Sequence, residues 1–438
     1  MSFFTRIGIH PNPNKHTSGL DLKVVSGIKK VRIPMNMQIG PGAKPCVAKG
    51  DKVKVGQMIG EPTAFMGVPV HASLSGTVTA VTQFVASNGR MSDIVEIESD
   101  RKMTVDESCV PHDPQTKEEF VQCVRDAGLV GLGGAGFPTH VKLSPPPDKT
   151  VDHLLVNAME CEPFITSDDW LLVHHADEIL QGIAKVLKFC NIPAATICLE
   201  DNKPIGIWAV QEVLKKDPAL REKIAIEIMK ARYPLGAEKF LIEKALGRIV
   251  PSGGLPHDAG VLVMNVGTAR YIEYYLKTGI PLVEKILTID GSAVAIPGVY
   301  QVPVGASIAD VIQLTGGFAA VPNKIIMGGP MMGIAVDTED SPILKNNNAI
   351  LCFDAKDSAI PTESPCIRCG RCVDVCPMGL MPSNLDKAAR KANVETLQAL
   401  SVMDCIECGS CTYICPAKRY LVQNIKLGKA QVRLASKK

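Results

Sequence analysis

The chain has 438 residues, 46% hydrophobic and 21% charged, with a formal net charge of +2. This is the make-up of a folded chain of about three domains rather than a disordered one, and its near-neutral balance gives no global field for nucleic acid. No run of about 18 apolar residues offers a membrane-spanning helix, and "MSFFTRIGIHPNPNK" lacks the apolar core and small-residue cleavage site of a signal peptide, so a cytoplasmic placement is expected.

Residues 1–105 read as all-β. Short runs such as "KVVSGIKKVRIPM", "GTVTAVTQFVAS" and "SDIVEIES" are divided by Gly, Pro and Asn, with no sustained 3.6-residue period. "VAKGDKVKVGQMIGEP" and "VPVHASLSGTVTAV" resemble the two halves of a biotinyl/lipoyl-like barrel-sandwich. The hairpin tip "PVHASLSG" lacks the lysine that carries a swinging cofactor in such domains. The fold is therefore expected without the carrier role.

Residues 106–282 alternate helix and strand, as in an α/β domain. "TKEEFVQCVRDAG" is predicted helical, with Phe120, Cys123, Val124 and Ala127 on one face. "VDHLLVNA" is a predicted buried strand. "SDDWLLVHHADEILQGIAKVLKFCN" is predicted as one long amphipathic helix opened by a Ser/Asp cap. The strands "AATICLE" and "IAIEIMK" and the helices "KPIGIWAVQEVLKK" and "GAEKFLIEKALG" follow. Residues 283–345 turn β again around "EKILTIDGSAVAIPGVYQVPVG" and "KIIMGGPMMG", and resemble a ubiquitin-like β-grasp module of the SLBB type. Residues 346–360 read as a linker and 361–438 as a cysteine-rich end.

Eight of the 15 cysteines fall in that end, in "CIRCGRCVDVCP" and "CIECGSCTYICP". Without a secretory signal, disulfides are the less expected use. Each motif is C-x₂-C-x₂-C-x₃-C-P, whose fourth cysteine in two-cluster ferredoxins ligates the other cluster. The spacing therefore assigns Cys366, Cys369, Cys372 and Cys415 to one [4Fe-4S] cluster, cluster I. Cys405, Cys408, Cys411 and Cys376 are assigned to a second, cluster II. Structural zinc instead pairs two C-x₂-C knuckles, without a third cysteine in series. A helical stretch between the motifs gives a helical, two-[4Fe-4S] ferredoxin-like domain. The seven remaining cysteines are expected to be small buried hydrophobes.

"GLVGLGGAGFPTHVK" contains Gly131, Gly133 and Gly136 in a G-x-G-x-x-G spacing. A dinucleotide fingerprint should leave a strand and open a helix. This one leaves a helix and runs into prolines, although Glu160 stands near the position of the ribose-binding acid. Five glycines within nine residues, followed by Lys142, favour a phosphate cradle over a ligand-free loop.

"GLGGAGFPTHVK" resembles the flavin loop of the FMN- and NADH-binding subunit of respiratory complex I and its hydrogenase relatives. "NAMECEP", "YPLGAEKFLIEKAL" and "GLPHDAGVLVMNVGTA" resemble later segments of that family. The resemblance implies that Gly131, Gly133, Gly134, Gly136, Lys142, Asn157, Glu160, Gly236 and Asn265 hold FMN. It implies that Phe137, Glu162, Tyr233 and Glu238 line the NADH side. Met159, Ala237 and Met264 stand where the family has polar residues, which puts those flavin contacts in question. Over its full length, from "GIHPNPNKHTSG" to the two cysteine motifs, the chain is similar to the RnfC proteins of Rnf electron-transport complexes. Those are peripheral subunits, on the cytoplasmic face of the membrane, of an ion-translocating ferredoxin:NAD⁺ oxidoreductase.

The implied activity is hydride exchange between NAD(H) and FMN, with single electrons relayed through two [4Fe-4S] clusters to other subunits of the complex and, indirectly, ferredoxin. No acid or base is needed, and no catalytic side chain is assigned. His10, His16, His174 and His175 are expected to be surface or capping residues. Two readings stand beside this one. One is a soluble flavin/iron–sulfur NADH-dependent cobalamin reductase of related architecture. The other is a ferredoxin-like electron-transfer or assembly subunit without flavin chemistry. "KRYLVQNIKLGKAQVRLASKK", with seven basic residues and no acid, reads either as a solvated, partly disordered tail or as a contact for an acidic partner or anionic lipid.

Overall fold

A computed structural model describes residues 8–436 apart from 86–88 and 90. Eight strands precede the first helix: β1 (Leu22–Val24), β2 (Lys30–Pro34), β3 (Ala43–Pro45), β4 (Lys52–Val53), β5 (Met58–Pro62), β6 (Val70–His71), β7 (Gly76–Val85) and β8 (Met91–Ser99). They form two small antiparallel sheets, β2-β8-β7-β4 and β3-β5-β6, except for β1, which leaves to join a different sheet. The run "KVVSGIKKVRIPM" thus divides at Gly27, which has φ +87°. The lysine-free tip is no swinging arm. Ala72 and Leu74 are buried there, and Ser73 Oγ donates to the Val304 carbonyl at 2.6 Å.

The middle of the chain opens with α1 (Lys117–Asp126), fixed by a capping box between Thr116 and Glu119. It buries Phe120, Val124 and Ala127, with Cys123 partly buried beside them. Then come α2 (Thr139–Lys142), β9 (His153–Ala158), α3 (Ser167–His174), α4 (Ala176–Phe189), β10 (Ala194–Glu200), α5 (Pro204–Lys216), α6 (Pro218–Lys223), β11 (Ile224–Met229), α7 (Glu238–Leu246), β12 (Val261–Asn265) and α8 (Val266–Thr278). The four strands are parallel in the order β11-β10-β9-β12. The helix expected over residues 167–191 is two helices, because His175 leaves helical geometry at φ −132°. The break lets α3 pack on α5 while α4 packs on α8. No side chain of the SDD stretch caps α3; a remote carboxylate does so.

The third unit contains β13 (Glu284–Asp290), β14 (Gly298–Pro303), α9 (Ile308–Leu314), β15 (Lys324–Met327), β16 (Ile334–Val336) and β17 (Ala349–Phe353). With β1 they make one sheet, β1-β14-β13-β17-β15-β16. The stretch 346–360, expected as a linker, instead supplies β17, whose five residues are all buried between β13 and β15. Asn346–Asn348 lead into it with polar side chains, which disguise a strand that is apolar only over "AILCF". The N-terminal sheets and this module share one apolar core. Val31, Ile33 and Ile97 meet Leu287, Tyr300 and Ile350 in it, at about 1.5–3 kcal/mol for each large side chain fully removed from water. Lys345 adds a three-way pin, donating to the Pro69 and Gly128 carbonyls at 2.9 and 2.8 Å.

The cysteine-rich end holds α10 (Arg371–Asp374), α11 (Pro382–Arg390), α12 (Val394–Ala399), α13 (Ser410–Ile414) and α14 (Leu421–Ala435). The basic stretch is therefore mostly helix, a correction to the solvated-tail reading. Val422, Ile425 and Val432 of α14 are buried in a core with Leu385 and Leu397. Its last two basic residues, Lys437 and Lys438, lie outside the described residues. Among the described residues no helix is long and apolar enough to cross a membrane. Of the seven scattered cysteines, Cys198 and Cys352 are buried as expected, but Cys46 is exposed.

Candidate functional site

The order β11-β10-β9-β12 reverses direction between β9 and β12, and ligands of open parallel sheets bind at the carboxyl ends beside such a switch point. Asn157, next to last in β9, and Asn265, last in β12, face each other there as register partners. Asn265 caps α8, its Oδ1 accepting from the Gly267 amide at 2.8 Å, while its Nδ2 donates to Asp168 Oδ2 at 2.6 Å. Asn157 Nδ2 donates to the Gly236 carbonyl at 2.8 Å, and its Oδ1 accepts from the Met159 amide at 3.1 Å.

The glycine turn lies over this end of the sheet. Gly131 N donates to the Phe137 carbonyl at 2.8 Å and closes its base. The Leu132 amide donates to Thr268 Oγ1 at 3.0 Å, and Asn346 Nδ2 donates to the Gly134 carbonyl at 2.7 Å. A Cβ at Gly133 would come within 3.4 Å of the Asn265 side chain, so the turn lies beside Asn265. Gly134 has φ +106° and a Cβ there would meet no heavy atom within 4 Å, so its backbone faces open space. Gly136, at φ +66°, leaves room for Asn346 and the Met37 carbonyl. Gly133, Gly134 and Ala135 are exposed, and none of their amides donates to a described protein acceptor. Three free amides on a glycine turn suit a phosphate, so these residues fit a bound FMN.

Lys142 closes one side, its Nζ donating to Glu238 Oε2 at 2.8 Å and to the Val263 carbonyl at 2.9 Å, and standing 6.0 Å from the Phe137 ring centre. Gly236 allows a close approach. A Cβ there would come within 3.1 Å of Cys161 Sγ and 3.7 Å of Asn157 Oδ1. The structure thus gathers the four loop glycines, Lys142, Asn157, Gly236, Asn265, Phe137 and Glu238 around the switch point.

Glu160, Glu162 and Tyr233 are engaged elsewhere. Glu160 is the remote cap of α3, accepting from the Asp168 and Asp169 amides at 2.5 and 3.3 Å. It also pairs with Lys203 at 3.1 Å, with both side chains almost fully buried. Glu162 Oε2 accepts from the Met331 amide at 3.0 Å, its Oε1 is buried with no partner among the described residues, and burial pushes its carboxyl up to about 7. The Tyr233 hydroxyl donates to the Cys408 carbonyl at 2.6 Å. No hydrogen bond or ion pair joins Glu162 or Tyr233 to Phe137 or Glu238. Sequence reasoning missed Thr268, Asn346 and Lys203. Only the register of strands and domains brings them here. The histidines stand apart, with His16 on Asp290 at 3.2 Å, His175 on Glu178 at 3.4 Å and His174 stacked on Trp170.

In the cysteine-rich end, Cys366, Cys369, Cys372 and Cys415 line one cavity, and Cys376, Cys405, Cys408 and Cys411 line another. The grouping is the one the spacing assigns, with Cys415 and Cys376 exchanged between the motifs. Gly370 and Gly409, both left-handed, open α10 and α13 at matching places in the two motifs. Burial, then the nearby Cys408, Cys405 and Cys376, hold the Cys411 thiol well above its usual value. Thiols so close ionise together only with a cationic centre to receive them, so each set fits a [4Fe-4S] cluster. The two sets differ in exposure. Cys366 and Cys369 are exposed, whereas Cys376, Cys408 and Cys411 are buried. The second set sits at the flavin side, where Ile9, Tyr233 and Cys408 share an apolar cluster with Cys161 and Met331. Ser252 Oγ also donates to Asp404 there, at 2.5 Å.

A glycine turn at a parallel-sheet switch point, coupled to two four-cysteine cavities, defines a flavin and iron–sulfur electron-transfer protein. Models of known families agree. Residues 3–102 match an RnfC barrel sandwich hybrid domain, 124–274 a Nuo51 FMN-binding domain, 286–335 an SLBB domain and 359–416 a 4Fe-4S dicluster domain. The chain is 42% identical to the C component of the Na⁺-translocating ferredoxin:NAD⁺ oxidoreductase complex of Acetobacterium woodii, over 97% of this chain and 96% of that one. It is 40% identical to the C component of the proton-translocating ferredoxin:NAD⁺ oxidoreductase complex of Clostridium ljungdahlii, over 99% and 95%. It is 34% identical to the C component of the ion-translocating oxidoreductase complex of Rhodobacter capsulatus, over 99% and 84%. The chain belongs to this family, the RnfC proteins of ion-translocating ferredoxin:NAD⁺ oxidoreductases. An NAD⁺-reducing [NiFe]-hydrogenase in its air-oxidised state has a similar fold, with a TM-score of 0.52 at 18% identity, covering 72% of this chain and 63% of the hydrogenase chain.

Proposed function

We propose that the chain is the subunit at which an ion-translocating ferredoxin:NAD⁺ oxidoreductase exchanges hydride with NAD(H), and that it docks peripherally on the membrane subunits of that complex. A bound flavin would supply the exchange between two-electron hydride chemistry and the one-electron chemistry of the clusters. The protein's part is positioning. The amides of Gly133, Gly134 and Ala135, which have no described acceptor, would hold the flavin phosphate. Lys142, held by Glu238, supplies a cation beside it. Phe137 and Glu238 border the open side that nicotinamide would enter.

The exposure difference between the two cysteine sets supports an order for the relay. The buried set of Cys376, Cys405, Cys408 and Cys411 is the inner one, next to the flavin domain. The set with exposed Cys366 and Cys369 is the outer one, where a partner protein gives or takes electrons. The Tyr233–Cys408 hydrogen bond carries this reading, because it joins a residue of the flavin domain directly to a ligand loop of the inner set.

Anaerobic purification with iron, sulfide and flavin counts, followed by NADH titration, tests it. About eight irons, eight sulfides and one flavin per chain are expected, with the flavin spectrum bleached by NADH and cluster EPR signals appearing in step. Clusters without any flavin uptake would return the chain to the reading as a ferredoxin-like protein without flavin chemistry.

A further inference from the structure

By sequence, residues 8–18 belong with the N-terminal sheets, yet they cross the flavin domain as a strap. Ile9 and Tyr233 exchange backbone hydrogen bonds, at 2.7 Å from Ile9 N and 3.1 Å from Tyr233 N. The Phe164 amide donates to the Pro13 carbonyl at 2.9 Å. Thr17 Oγ1 and Thr166 Oγ1 lie 2.5 Å apart, both buried. Between these contacts Lys15 points inward. Its Nζ donates to the carbonyls of Glu160, Glu162 and Ile165 at 2.8, 2.9 and 2.5 Å.

An ammonium has three donors, and here all are used on one loop. That loop, residues 159–166, has no helix or strand to satisfy its own carbonyls. It also holds Glu160 at φ 43° and Phe164 at φ 71°, left-handed positions that non-glycine residues keep only where their surroundings over-determine them. Burial holds the Lys15 ammonium below its usual pKa, opposed by the Glu160 carboxylate. A cation is buried at such a place only if its hydrogen bonds are complete. The loop is the one that carries Glu160, which caps α3 beside Asn265's partner Asp168, and Glu162, which faces the inner cysteine set.

We propose that Lys15 is a positioning residue of the hydride site. It fixes the backbone of residues 160–165, so the flavin domain matched at 124–274 is completed by the N-terminal strap rather than being self-sufficient. This rests on the reading that the switch point binds flavin and NAD(H). Lys15 touches neither. It acts through the loop that runs from the end of β9, which carries Asn157, to the Asp168 that holds Asn265.

The test uses the full chain with its clusters and flavin. In Lys15→Met the three carbonyls lose their donor and the loop relaxes. The KM for NADH is expected to rise about tenfold, within the hundredfold that a 1 Å misplacement can cost, while kcat falls less than about threefold and the cluster EPR signals stay unchanged. Ser73→Ala removes a different interdomain bond, to the Val304 carbonyl, and should lower Tm with no change in KM. An unchanged KM and flavin potential in Lys15→Met, with only a lower Tm, would overturn the proposal and leave Lys15 a structural pin. If that variant is not recovered folded, Lys15→Arg decides. Its planar fork cannot meet three convergent carbonyls, so a raised KM supports the role and a wild-type KM overturns it. Wild-type protein that takes up no flavin and oxidises no NADH would instead sink the reading of the site itself.

Discussion

Asn157 and Asn265 are register partners at the carboxyl ends of β9 and β12, and a Cβ at Gly133 would come within 3.4 Å of Asn265. This pairing turns a glycine motif into a site, because it places three free amides over the switch point of the sheet. Gly134→Asp tests the arrangement. At φ +106° a side chain is strained by about 1–2 kcal/mol, and a carboxylate there would repel a phosphate. The variant should fold and keep its iron, but lose bound FMN and NADH oxidation. The flavin-to-protein ratio, read beside EPR of the clusters, decides it. Full flavin content would move the phosphate site elsewhere.

The cysteine cavities make a second prediction. Cys376 lies in the first motif but lines the cavity of the second. Cys376→Ser should therefore damage cluster II and spare cluster I. The two signals can be separated by EPR redox titration, and an intact cluster II in this variant would refute the cross-ligated assignment.

How legible each feature is follows from how local its cause is. The cysteine sets can be read from spacing because three ligands of each set are close along the chain, and the C-x₃-C-P step marks the fourth, which crosses to the other motif. The glycine turn is legible for the same reason, whereas Asn157 and Asn265 are legible only through the family resemblance. Lys15 is not legible, since its partners are 145 to 150 residues away and its own segment has no periodicity. Nor is the helix-capping role of Glu160, whose carboxylate reaches α3 from outside the helix. The strand β17 hides among polar neighbours, and β1 reads by sequence with the N-terminal sheets although it pairs with β14. Both are completed only by partners in another part of the sequence.

Glu162 gives a pH dependence. Its carboxyl is pushed up to about 7 in the folded chain, chiefly by burial, against about 4.3 when unfolded. Between those values the folded state holds the extra proton, so stability falls as pH rises through this window and levels off above about 7. The loss is up to about 4 kcal/mol. Glu162→Gln mimics the protonated form. It should flatten the fall in Tm between about pH 4.5 and 7 and be the more stable protein at about pH 8. A parallel Tm profile for the two proteins would show that Glu162 is not the group responsible.

The basic C-terminal stretch gives the last prediction, and it concerns a cluster rather than a lipid. Lys429 on α14 is buried, donating to the Cys405 carbonyl at 2.8 Å and to Glu407 Oε1 at 2.6 Å. The place of Glu407 in the first motif is taken by the exposed Arg368, and this buried lysine stands at the second cysteine set. Charge and hydrogen bonding near the ligands set cluster potentials. Removing a positive charge disfavours the added electron and also leaves Glu407 less compensated. Lys429→Met should therefore lower the reduction potential of cluster II by tens of millivolts, on the order expected for such changes near the ligands, with cluster I unmoved. Lys429→Arg should restore most of the shift. EPR redox titration of the three proteins measures it. If both potentials are unchanged in Lys429→Met, the lysine only fastens α14 to the ligand loop.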